Sequence, residues 1–126
     1  MLYKSLVRSQ LEYGGSVWSP YRKKSIEYIE QGQKRATKLV RKCKSRSYIE
    51  RLKYLELPTL KFRRLRGDMI EAYKNLTCKY DNSVMLRLHK SEYTRTRGNS
   101  LKLKTEQSEY DLRKKFFRCR ITKVWN

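Results

Sequence analysis

The chain has 126 residues, with 32 Lys+Arg against 12 Asp+Glu and a formal net charge of +20. That length bounds it to one small domain, and Leu, Ile, Val and Phe supply only 28 residues, just above the level at which highly charged chains stay disordered. No run of about 18 apolar residues exists to span a membrane, and Met1–Val7 carries no apolar block of signal-peptide length.

Residues 2 to 13 are predicted as a helix on Leu2, Leu6 and Leu11 (or Val7), stopped by Gly14-Gly15. Ser19-Pro20 reads as a cap with proline at a first helical position. It opens a second helix over roughly 22 to 44, with Ile26, Ile29, Gln33, Ala36 and Val40 as its stripe and Leu39 broadening it. The other side of that helix is basic, and from Lys34 to Arg46 there are seven cations and no acid. Gly32 inside it costs about 1 kcal/mol relative to Ala.

Ser47-Tyr48-Ile49-Glu50 has the S-x-x-E pattern of a capping box, in which the Ser and Glu side chains each satisfy a free backbone N–H. It predicts a short helix to about Glu56 that buries Ile49, Leu52 and Leu55. Pro58 breaks the chain and Thr59 caps a fourth helix over 60 to 78, whose expected stripe is Phe62, Leu65, Met69, Tyr73 and Leu76. Residues 79 to 108 are polar and weakly ordered by this reading, with turn signals at Asp81-Asn82-Ser83 and Gly98-Asn99-Ser100. Leu101 to Lys104 are readable as a two-turn helix or a short strand. A last basic helix is expected over 109 to 125, with Leu112, Phe116, Phe117, Ile121, Val124 and Trp125 as its apolar positions. The fold class is therefore mainly α: a small bundle of four to five helices. A helical region spans 1–78, a linker 79–108, and a C-terminal basic helix 109–126.

Catalysis needs converging groups, and the chain offers few. His89 is its one histidine and lies in the weakest region. Asp68, Asp81 and Asp111 are too scattered for paired-metal chemistry, and the glutamates sit among Lys and Arg, where ion pairing is the default. No phosphate-binding loop, nucleophile elbow or H-E-x-x-H occurs. The wide spacing of Cys43, Cys78 and Cys119 argues against a disulfide framework and a zinc site, and reduced thiols point to an intracellular protein, in nucleus or cytoplasm. No catalytic residue, metal, cofactor or small-molecule substrate is expected, and the oligomeric state is open. The cations instead suit phosphates, which release counterions on binding. The candidate contacts are Lys34, Arg35, Lys38, Arg41 and Lys42, then Arg63, Arg64 and Arg66, with RNA or DNA as partner. Tyr28, Tyr54 and Tyr73 lie near apolar stripes and are expected to pack rather than stack on bases.

One resemblance runs along the chain in order. It comprises Leu2-Tyr3-Lys4-Ser5-Leu6-Val7-Arg8, Leu11-Glu12-Tyr13-Gly14, Val17-Trp18-Ser19-Pro20 and Gln33-Lys34-Arg35-Ala36-Thr37-Lys38. It continues through Leu57-Pro58-Thr59-Leu60, Arg66-Gly67-Asp68-Met69-Ile70-Glu71, Thr96-Arg97-Gly98-Asn99-Ser100-Leu101 and Val124-Trp125-Asn126. This set resembles the region after the palm in reverse transcriptases of non-LTR (LINE-type) retrotransposons. The resemblance implies a thumb and following helices, which help hold an RNA–DNA template–primer while the Tyr-x-Asp-Asp metal site lies elsewhere. It implies that this chain is no polymerase on its own. Ser9 stands where the family usually has proline, and Gly15 and Gly32 stand where stronger helix formers are usual. Those departures fit a truncated or decaying copy begun at a fortuitous Met1. The other readings are a partly folded relic without function and an independent basic helical module.

Overall fold

The computed structural model describes residues 2–81, 83–91 and 100–126. Met1, Asn82 and residues 92–99 lie outside them, and with them parts of both expected turns and the Thr96–Asn99 portion of the resemblance. The described chain is mainly helical, with no β-strand among the described residues. It divides into two compact units, Met1–Gly15 with Ser19–Leu65, and Ser16–Trp18 with Arg66–Asn126.

In the first unit a π-helical turn, Tyr3–Val7, runs directly into α1, Arg8–Glu12. Gly14, at φ 63°, ends it in the left-handed region that glycine enters without steric cost. The expected Leu2 and Leu6 stripe is exposed. Polar partners set the inward side instead: the Tyr3 hydroxyl donates to Gln33 Oε1 at 3.0 Å, and Glu12 accepts from Arg8 at 3.2 Å and from Arg63.

The second helix, α2, spans Lys23–Lys38, starting where expected and ending six residues early. Ser19 makes no cap; Arg22 occupies the N-cap without a side-chain bond. Beyond Lys38, the separate 3-10 turn Arg41–Cys43 follows, and Leu39 is 84% exposed rather than part of the buried stripe. The most buried residues of α2 are polar. Gln33 donates to the Pro58 carbonyl at 3.1 Å and Thr37 to the Lys34 carbonyl at 3.0 Å. Glu30 accepts from the Tyr48 hydroxyl and, at 3.2 Å, from the Leu60 amide.

The capping box forms as predicted and opens α3, Tyr48–Tyr54. Hydrogen bonds from Ser47 hold the Glu50 carboxyl below its ordinary range. Leu52 is buried and Leu55 half-buried, whereas Ile49 faces solvent. Thr59 caps α4, Leu60–Leu76, by accepting from the Phe62 amide at 3.3 Å. The expected stripe of α4 holds in part: Leu76 is buried and Met69 packs against the core, but Phe62, Leu65 and Tyr73 are exposed, while Leu60, Asp68, Ala72 and Asn75 are buried beside them.

In the second unit the buried side of α4 also carries a charge. Asp68, 5% exposed, accepts from Nε and Nη2 of Arg120, each at 2.9 Å. Two polar partners drawn inward fix which side of the helix is buried there. The last helical segment is also broken in two, α5 at Asp111–Lys115 and α6 at Phe117–Trp125, because Phe116 between them is extended. At the break the Lys115 carbonyl accepts from Arg120 at 3.3 Å. Phe117 and Ile121 of α6 form a core with Ala72, Leu76 and Leu103. Leu103 faces Lys90 in an isolated antiparallel bridge, so residues 101–104 include a strand-like pairing and no helix.

Three outcomes follow. Asp68→Ala leaves Arg120 without its buried counter-charge and lowers the unfolding free energy by about 3 kcal/mol in urea titrations. Gly32→Ala raises it by about 1 kcal/mol, since an added Cβ would meet Leu11 Cδ1 at 3.4 Å, within ordinary contact. The third concerns alkali. Burial pushes the Tyr3 phenol up to about 12, and burial and the Glu30 carboxylate also raise that of Tyr48. Between about 10 and 12 the unfolded chain therefore loses protons that the fold retains, and stability falls as pH rises. Tyr3→Phe combined with Tyr48→Phe flattens that fall in melting temperatures followed from pH 9 to 12.

Candidate nucleic-acid interface

The eight candidate cations separate into two groups by what surrounds them. Lys34, Arg35 and Lys38 are exposed on α2, and Arg41 and Lys42 are exposed on the 3-10 turn that follows. Among the described residues none of these five is ion-paired with a carboxylate. Lys34 instead lies over the Tyr48 ring at 5.3 Å, a cation–π contact that leaves its charge uncancelled. All five belong to the first unit.

Arg63 and Arg64 are half-buried and engaged. Arg63 grips Glu12 through both Nε and Nη2, the second bond at 2.9 Å. That carboxylate raises the Arg63 pKa, so the guanidinium stays charged. Arg64 donates to the Leu11 carbonyl at 3.1 Å. Both side chains tie the start of α4 to α1. Arg66 is exposed and belongs to the second unit.

The aromatic residues depart from expectation. Tyr28 is 77% exposed on α2, and Tyr54 and Tyr73 are about half exposed. The Arg46 guanidinium covers Tyr54 at 4.4 Å and Lys79 lies 5.7 Å from the Tyr73 ring centre. Packing does not account for Tyr28. Periodicity hid this because Tyr28 neighbours Ile29 in sequence yet projects about 100° away from it around the helix. Arg51 was not singled out by charge pattern either. It is buried beside Tyr48, 5.8 Å from the ring centre, and its Nε has no hydrogen-bond partner among the described residues.

A cavity of about 860 Å³ lies in the second unit, lined in part by Val84, Leu86, Leu112, Phe116 and Phe117. None of the candidate cations lines it. Among the described residues no group of His, Cys, Asp and Glu is placed to hold a metal ion, and no helix is long and apolar enough to cross a membrane. No family model matches the chain, and no curated protein or solved structure matches it.

Proposed function

We propose that this chain derives from the thumb and following helical region of a non-LTR retrotransposon reverse transcriptase. By this reading these 126 residues are not the catalytic part, are no enzyme alone, and bind RNA or DNA inside the cell, in nucleus or cytoplasm, through phosphate contacts. The observation that carries the binding is the group of five exposed cations, Lys34, Arg35, Lys38, Arg41 and Lys42, with no carboxylate paired to them among the described residues. Unpaired cations on a +20 chain retain their full attraction for a polyanion. The ordered resemblance supports the origin. So do the large apolar side chains left on the surface, such as Phe62, Leu65 and Ile70 of α4, which suit helices that once packed on further protein.

Arg63 and Arg64, held by Glu12 and the Leu11 carbonyl, serve this interface by fixing α4 against α1. The contacts themselves fall to the five residues of the α2 region; Arg66 is exposed in the second unit.

Salt dependence tests the binding. Five phosphate contacts give a log–log slope of about −3.5 on single strands and about −4.5 on duplex. Fluorescence anisotropy between low and moderate salt measures both. Affinity that does not change with salt would overturn the electrostatic reading. Replacing Arg35 and Lys38 together by Ala should reduce the slope by about two phosphate contacts.

A further inference from the structure

We propose that the outward ridge of α2 binds unpaired nucleic acid, with Tyr28 as the surface on which a base stacks. This rests on the phosphate-binding reading above and narrows its substrate class from nucleic acid in general to single strands.

The ridge is set by helical spacing. Lys24, Tyr28, Gln31, Arg35 and Lys38 step by four, three, four and three, and all five are exposed. At about 100° per residue they fall within one narrow stripe along the helix. Gln33 lies on the opposite side of α2 and is buried, with its amide bonded to Tyr3 and Pro58. Those bonds fix the rotation of α2 within its unit, so Tyr28 cannot turn inward without breaking them. Among the described residues the Tyr28 ring has no hydrogen bond and no cation over it.

Charge selects the occupant. The exposed positions of α2 include Lys23, Lys24, Lys34, Arg35 and Lys38 against one carboxylate, Glu27. The remaining acid, Glu30, is spent internally on Tyr48 and Leu60. Lys24 lies one turn before Tyr28 and Arg35 two turns after it, so cations bracket the ring along the axis. A backbone running along the ridge meets positive charge on both sides of a free aromatic face. In a duplex the bases are already stacked on each other and only phosphates are offered. In a single strand each base has a face free for an aromatic ring, and such stacking tolerates any sequence.

The test compares full-length chains by fluorescence anisotropy at one moderate salt concentration. The probes are an oligothymidylate strand of about 16 nucleotides, a duplex of equal length, and vesicles of phosphatidylserine in phosphatidylcholine. Tyr28→Ala should weaken single-strand binding about 10-fold and leave duplex binding within about twofold, while Tyr28→Phe and Tyr28→Trp retain single-strand binding. Arg35→Ala with Lys38→Ala should weaken both nucleic acids. Circular dichroism checks that the variants fold. If Tyr28→Ala leaves single-strand affinity unchanged while the cation variant weakens it, stacking is overturned and phosphate binding stands. If neither variant weakens either nucleic acid, both readings fall. If Tyr28→Ala weakens vesicle binding and not single-strand binding, the ridge is a lipid-facing surface and the proposal is overturned.

Discussion

The Glu30 carboxylate organises the first unit. It is an acid on a helix rich in cations, yet it pairs with none of them. It accepts instead from the Tyr48 hydroxyl and the Leu60 amide, and so joins α2 to the start of α3 and to the start of α4. Gln33, less than a turn away, extends the same role to Tyr3 and to the Pro58 carbonyl. A half-buried polar network of this kind contributes modest net free energy per bond, because each bond replaces one to water. Its larger effect is directional. Apolar contacts tolerate rotation of a helix, whereas bonds to fixed donors and acceptors do not. The cations of α2 face outward because its polar groups are held inward.

The second unit follows the same logic with full charges. Asp68 and Arg120 are paired through two bonds and lie 52 residues apart. Desolvating such a pair offsets much of its Coulomb attraction. What it supplies is orientation: it decides which side of α4 is buried there and holds α6 in register for Phe117 and Ile121 to enter the core.

Local signals were legible in the sequence and remote ones were not. The Ser47–Glu50 box, the Thr59 cap and the Gly14 stop each depend on residues within one turn, and each forms where the pattern placed it. The α4 stripe was right at Met69 and Leu76 and wrong at Phe62, Leu65 and Tyr73, because hydrophobic periodicity assumes that only apolar residues choose the buried side. Here Asp68 shares that side, through a partner no local window contains. The break at Phe116 was equally hidden, since the Lys115 carbonyl beside it accepts from a side chain of the next helix. Of the candidate site, the cation run on α2 was readable as charge density. Two things were not: that Arg63 and Arg64 are occupied within the fold, and that Tyr28 faces outward. Both depend on tertiary hydrogen bonds that turn the helices.

Asn126 offers a different lesson. Its side-chain amide donates to the Leu103 carbonyl at 2.8 Å and accepts from the Leu103 amide at 2.9 Å. Leu103 already faces Lys90 across the bridge, with flanking bonds from Ser91 to Lys102 and from Lys104 to His89. The backbone groups of Leu103 point the other way, as those of an outer strand would toward a missing neighbour. One asparagine occupies the place of that neighbour. An open row of donors and acceptors is a template on which other chains can add as strands, and here a single primary amide closes it at the residue where it would begin.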